Sequence, residues 1–217
     1  MVSTLLFDMD GLLVDSEPYW KFAEKKVFGA LGLSLNDELL RQVMGFRLSE
    51  VVQYWYNYQA WPNPNFIQTE NDIMDCMEAY MRSEAVALKG VMESLEYVKQ
   101  NGYACALASS SSMRLIEAVV DKLNIRSYFN LLYSAEYETY GKPHPGIFIT
   151  AATKLGSAPQ HCLVIEDSLN GVIAAKAARM LCVAVPELEK QNDPRFSIAD
   201  FQLKTMEEFP TLMNSLR

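Results

Sequence analysis

Apolar residues in this chain follow two patterns, and the two are segregated along it. Short uninterrupted runs stand at Leu5-Leu6-Phe7, Tyr103–Ala108, Leu131–Ser134, Cys162–Ile165 and Leu181–Val185. Runs without polar alternation suit strands buried on both faces of a parallel sheet. Between them the period lengthens. Met113–Leu123 carries Leu115, Ile116, Val119, Val120 and Leu123 on one side, which predicts an amphipathic helix. Val91–Lys99, Ile147–Leu155 and Ser168–Ala178 read likewise, with Ser168 placed to cap the last. Strand–helix alternation of this kind predicts an α/β fold, a Rossmann-like doubly wound parallel sheet.

One connection departs from that rhythm. Between the first and second strands the chain is helical in pattern and poor in strand signals. So long a connection has structure of its own. The expected division is a core domain of residues 1–14 and 89–217, with a helical domain of residues 15–88 inserted directly after the first strand. Phe46, Tyr54, Trp55, Tyr56, Tyr58 and Trp61 give the insertion an aromatic stripe, expected to form its own small core.

Half of the 217 residues are hydrophobic, ample for one packed domain carrying a smaller insertion. The net charge of -8 makes nucleic acid and anionic lipid poor partners, while leaving room for a local cationic pocket. No apolar stretch approaches the roughly 20 residues needed to span a bilayer. The N-terminus lacks the basic start and long apolar run of a signal peptide. Cys76, Cys105, Cys162 and Cys182 show no CxxC pairing and read as reduced core thiols. A cytoplasmic, monomeric protein is the expectation.

Ligands of open parallel sheets bind beyond the carboxyl ends of the strands. Asp8 and Asp10 follow the first strand, Ser109 the second, Lys142 a loop after the third, and Glu166 and Asp167 the fourth. Carboxylates crowded together need a cation or raised pKa values. Oxygen donors without His or Cys suit a hard ion, with Mg²⁺ the usual choice beside phosphate. A hydroxyl and an ammonium suit a phosphoryl group. Each residue alone has a plainer explanation: Asp8 and Asp10 as turn caps before Gly11, Ser109 as a helix cap, Lys142 as a solvated loop lysine. Their arrival at successive strand ends favours the chemical reading. His144 and His161 are the only histidines, and neither belongs to an HxxxH pair, so a zinc site is not expected.

These segments resemble the four motifs of the haloacid dehalogenase-like superfamily. Phe7-Asp8-Met9-Asp10-Gly11 resembles the first, Leu107-Ala108-Ser109 the second, Gly141-Lys142-Pro143 the third and Ile165-Glu166-Asp167-Ser168 the fourth. Asp15-Ser16-Glu17-Pro18 and the insertion resemble the branch with a helical cap. The stretches Gly11–Pro18, Gln191–Phe196 and Ala177–Met180 are similar to bacterial hexitol or 2-deoxyglucose-6-phosphate phosphatases, although many relatives have Gly where Arg179 stands. The resemblance implies a Mg²⁺-dependent phosphatase acting on a small phosphorylated metabolite, a sugar or sugar-alcohol phosphate. In it, Asp8 is nucleophile and metal ligand. Asp10 is acid then base, with its backbone carbonyl on the metal. Asp167 is a further ligand supported by Glu166, and Ser109, Ser110 and Lys142 hold phosphate. Glu17, Trp20 and Arg47 of the cap are candidate substrate contacts.

Three other activities compete with this one. A phosphomutase resembling β-phosphoglucomutase shares the nucleophile, but such enzymes carry a histidine where Trp20 falls. A dehalogenase of the superfamily would lack Asp10. A non-catalytic binding protein would have lost one of Asp8, Asp10, Lys142 or Asp167, and all four are present.

Overall fold

The structure is a computed structural model that describes residues 2–43 and 48–216. The chain divides into two compact units, Met1–Asp15 with Ala85–Arg217 and Ser16–Glu84. In the first unit six parallel strands form one sheet: β1 (Thr4–Phe7), β2 (Ala104–Ser109), β3 (Leu131–Ser134), β4 (Cys162–Glu166), β5 (Leu181–Ala184) and β6 (Phe201–Gln202). Their order is β3-β2-β1-β4-β5-β6. Leu5 pairs with Cys105 on one side and Leu163 on the other, so the earliest strand is central. This order reverses direction between β1 and β4, the crevice where doubly wound folds bind ligands.

The helices α1 (Glu17–Ala30), α2 (Asp37–Leu40), α3 (Leu48–Tyr58) and α4 (Phe66–Glu84) make the second unit. The first unit contains α5 (Val91–Gln100), α6 (Met113–Lys122), α7 (Gly146–Lys154), α8 (Leu169–Ala177) and α9 (Phe209–Ser215). The uninterrupted apolar runs have the predicted cause, since β1 and β4 are buried throughout. Leu6 lies in a cluster with Phe148 of α7 and Val172 of α8. Phe7 packs edge-on against Phe129 and Phe209, with centroids at 6.3 and 5.8 Å. Truncating so fully buried a side chain as Leu6 to alanine costs about 2–5 kcal/mol.

The chain leaves the first unit after Asp15 and returns at Ala85. The two passes are tied together there. Val14 bridges Ala87 antiparallel, and Leu88 N donates to Leu13 O at 3.0 Å.

In the helical unit, Ile73, Cys76, Met77 and Met81 form the buried stripe of α4. Trp55 and Trp61 are buried beside Phe28, at centroid distances of 6.5 and 6.0 Å. The expectation of an aromatic core therefore holds for these two, whereas Tyr58, at the end of α3, is exposed. Phe46 lies outside the described residues. Among the described residues no helix is long and apolar enough to cross a membrane.

Candidate active site at the carboxyl ends of β1 and β4

Asp8 is the first residue beyond β1, and its backbone N–H donates to Ile165 O of β4 at 3.0 Å. Its carboxylate is therefore carried at the reversal point by the sheet itself. Directly after it the chain turns tightly: Leu13 N donates to Met9 O at 2.8 Å, and Gly11 N to Val14 O at 2.8 Å. Gly11 has φ +78°, and a Cβ there would overlap the Asp167 carboxylate, so the turn needs glycine twice over.

Lys142 joins two carboxylates. Its Nζ donates to Asp8 Oδ1 at 2.6 Å and to Glu166 Oε1 at 2.6 Å, and all three side chains are buried. The second oxygen of Glu166 accepts from Ser168 N at 2.8 Å and Ser168 Oγ at 2.9 Å. Ser168 Oγ in turn accepts from Gly171 N, making it the cap of α8 that the sequence predicts. A Cβ on Gly171 would overlap Glu166 Oε1, so helix and carboxylate meet backbone to side chain.

Electrostatics follow from this crowding. Burial, opposed by Lys142 and reinforced by Glu166 and Asp10, pushes the Asp8 carboxyl up to about 7. Burial and then Glu166 and Asp8 hold Asp167 well above the usual carboxylate range. Burial pulls Lys142 down, but the two carboxylates outweigh it and hold its pKa above the ordinary lysine value. Asp8, Glu166 and Asp167 each offer an oxygen within 4.8 Å of the others. Three carboxylates around one ammonium leave an excess of buried negative charge. An oxygen-only donor set with that excess fits a hard divalent cation.

Asp10 lies apart from this group. Its Oδ2 accepts from Ser111 Oγ at 2.7 Å and Ser109 Oγ at 3.2 Å, while its Oδ1 is buried without a hydrogen-bond partner among the described residues. Ser109, at the end of β2, is fully buried, and Ser110 is exposed at the turn beyond it. Nothing in the sequence singles out Ser111. Within a run of four serines, no pattern says which hydroxyl turns inward. Glu17 and Trp20 are half-buried residues of α1, where Glu17 pairs with Lys21 at 3.3 Å. Arg47 lies outside the described residues. His144 serves its own loop, its Nδ1 accepting from Gly146 N at 3.2 Å.

A parallel sheet with carboxylates and a lysine gathered at its order reversal defines a class, and the comparisons agree on it. Residues 5–185 match the haloacid dehalogenase-like hydrolase family, and the chain belongs to that family. It is 40% identical over 204 residues to hexitol phosphatase B of Escherichia coli strain K12, covering 94% of this chain and 92% of that one. It is 31% identical over 180 residues to the phosphorylated carbohydrates phosphatase of Thermotoga maritima, covering 82% of each. The crystal structure of CbbY from Rhodobacter sphaeroides in complex with phosphate superposes with a TM-score of 0.86 over 96% of both chains, at 25% identity.

Proposed function

We propose that this protein is a Mg²⁺-dependent phosphatase hydrolysing small phosphorylated metabolites, sugar or sugar-alcohol phosphates, through a phospho-aspartate at Asp8. The observation that carries it is the pairing of a buried Asp8, held by Lys142, with a second carboxylate two residues on whose Oδ1 is unpaired among the described residues. The names of the two curated relatives above support the substrate class.

In this reading an Asp8 oxygen attacks phosphorus as the ester bond breaks. Asp10 gives its proton to the leaving alkoxide and then takes one from the water that attacks the phospho-aspartate. Lys142 and Ser109 offset charge on the transferring phosphoryl oxygens. Glu166 keeps Lys142 pointed at Asp8, and its saturated hydrogen bonds hold that orientation. Mg²⁺, held by Asp8, Asp167 and the Asp10 carbonyl with support from Glu166, would neutralise phosphate charge.

Ser110 is assigned to the phosphate, and Glu17, Trp20 and Arg47 of the helical insertion to the substrate. Trp20 also favours hydrolysis over phosphoryl return to sugar. Indole cannot take up or share a proton as the mutases' histidine does. The enzyme is assigned to the cytoplasm as a monomer.

The test is release of inorganic phosphate from a panel of sugar, polyol and nucleotide phosphates with Mg²⁺. Sugar or polyol phosphates are expected to lead, and Asp8→Asn to lower turnover by several orders of magnitude, roughly as loss of other covalent nucleophiles does. Substantial activity in folded Asp8→Asn protein would remove Asp8 as nucleophile. Glucose 6-phosphate forming faster than inorganic phosphate from β-glucose 1-phosphate and catalytic glucose 1,6-bisphosphate would make the enzyme a mutase.

A further inference from the structure

The turn between β2 and α6 is tied on three sides. Ser111 N donates to Ser109 Oγ at 3.0 Å. Ser111 O accepts from Ser134 Oγ, at the end of β3, at 2.7 Å. Ser134 is fully buried, and its Oγ also accepts from Glu136 N at 3.0 Å. So the backbone of Ser111 is gripped by its own strand on one side and the neighbouring strand on the other. What this grip presents is one hydroxyl, Ser111 Oγ, donating to Asp10 Oδ2 at 2.7 Å.

The consequence for Asp10 is an asymmetric carboxyl. Two serine hydroxyls donate to Oδ2, and none of the described residues donates to Oδ1. Oδ2 is taken up by two donors, which leaves Oδ1 as the carboxyl oxygen open to a leaving group or a water. Ser109 makes the longer contact, 3.2 Å, and can turn to a phosphoryl oxygen when one is present. Ser111 then remains as the donor on Oδ2.

We propose that Ser111 is a positioning residue for the phosphatase reaction. Its clamped hydroxyl fixes Asp10 through Oδ2 and so makes Oδ1 the oxygen that gives and takes the proton. The inference deepens the function proposed above and rests on it. Atoms balance within that scheme. The proton on Oδ1 passes to the ester oxygen as its bond to phosphorus breaks and the Asp8–phosphorus bond forms. In the second half a proton of water passes to Oδ1 as the water oxygen bonds phosphorus and the Asp8–phosphorus bond breaks.

A purely structural serine and a positioning one differ in what they do to leaving groups. For an alkyl phosphate the departing alkoxide must be protonated, whereas 4-nitrophenolate leaves without help. The value of kcat/KM reports the steps through the first departure, so it separates the two cases. The experiment measures kcat/KM for wild type, Ser111→Ala and Ser111→Thr. The substrates run from 4-nitrophenyl phosphate through phenyl phosphate to glucose 6-phosphate, with Mg²⁺.

Ser111→Ala is expected to lose about tenfold to a hundredfold on the alkyl substrate and much less on 4-nitrophenyl phosphate, the range for one hydrogen bond to a charged group. Its plot of log kcat/KM against leaving-group pKa steepens, and Ser111→Thr, which keeps the hydroxyl, restores the wild-type slope. An unchanged slope in Ser111→Ala, whether all substrates fall together or none does, overturns the inference while leaving the phosphatase standing. A wild type that releases no phosphate overturns both.

Discussion

Arg179 shows how one side chain can be at odds with its own backbone. It follows α8 with φ +61°, a left-handed conformation that costs a residue bearing a Cβ about 1–2 kcal/mol. The geometry is a Schellman ending: Met180 N donates to Ala175 O at 3.1 Å and Arg179 N to Lys176 O at 3.0 Å. A glycine at this point would therefore have a backbone reason. Arg179→Gly is expected to stabilise the protein by about 0.5–1 kcal/mol, the relief of strain less the extra entropy of glycine in the unfolded chain. Activity should not change. A denaturant midpoint that falls, or fails to move, would contradict this. At this scale the sequence was informative where chemistry restricts the residue type. Asp8, Glu166 and Asp167 stand at strand ends and Lys142 in the loop beyond β3, and the structure gathers them. The inward turn of Ser111 and its tie to Ser134 were not legible, because a hydroxyl's partner is set by tertiary contact rather than by spacing.

On α1 the feature to test is Glu24. It is buried, and among the described residues its Oε2 has no hydrogen-bond partner and the Trp55 indole N–H of α3 is likewise unpaired. The indole lies close enough to lower the carboxyl's pKa without meeting it in a formed hydrogen bond. Burial, with Glu17 adding to it, outweighs that and pushes Glu24 up to about 7 from an ordinary 4.5. Between those values the folded unit holds a proton that the unfolded chain has released. Stability from this group is thus complete below pH 4.5, falls as pH rises, and is gone above about 7. The gap between the two values is worth at most about 3 kcal/mol. Glu24→Gln should remove this loss, so the stability difference between variant and wild type grows from pH 5 to pH 8. All three tryptophans, Trp20, Trp55 and Trp61, belong to the Ser16–Glu84 unit, so indole fluorescence in urea follows that unit alone. A difference that stays flat with pH would refute the assignment. Element patterns were otherwise well exposed in the sequence. Five strands fall within a residue or so of their apolar runs, because burial on both faces leaves no room for polar residues. β6 was missed: it is two residues long, with Gln202 exposed, and offers no pattern.

For the molecule as a whole, the buried carboxylates set stability against function. Asp8, Glu166 and Asp167 crowd together, and burial first, then the charges of Glu166 and Asp8, holds the Asp167 carboxyl well above the usual carboxylate range. Replacing Asp167 with asparagine removes one charge without changing size. In excess chelator Asp167→Asn should melt higher than wild type, by about 2–4 °C for each kcal/mol relieved. Mg²⁺ should raise the melting temperature of the wild type and shift the variant far less, since only the folded wild type binds it well. Chelation should abolish wild-type turnover. Equal Mg²⁺ responses in the two proteins would exclude Asp167 as a ligand. What was not legible at this scale is strand order. Apolar runs mark buried strands but do not say that the first is central, since the information lies in contacts between residues about a hundred or more positions apart.

That central place has a consequence during synthesis. β1 is made first, yet its neighbours begin at Ala104 and Cys162. At ribosomal speeds of about 5–20 residues per second, Leu5-Leu6-Phe7 waits on the order of 5–20 s for the first of them. The Ser16–Glu84 segment, whose contacts are mostly its own, is fully made before β2 begins. A nascent chain of this enzyme therefore trails an unpaired apolar strand ahead of a locally organised helical segment. Chaperones that shield short apolar stretches would meet it at that strand.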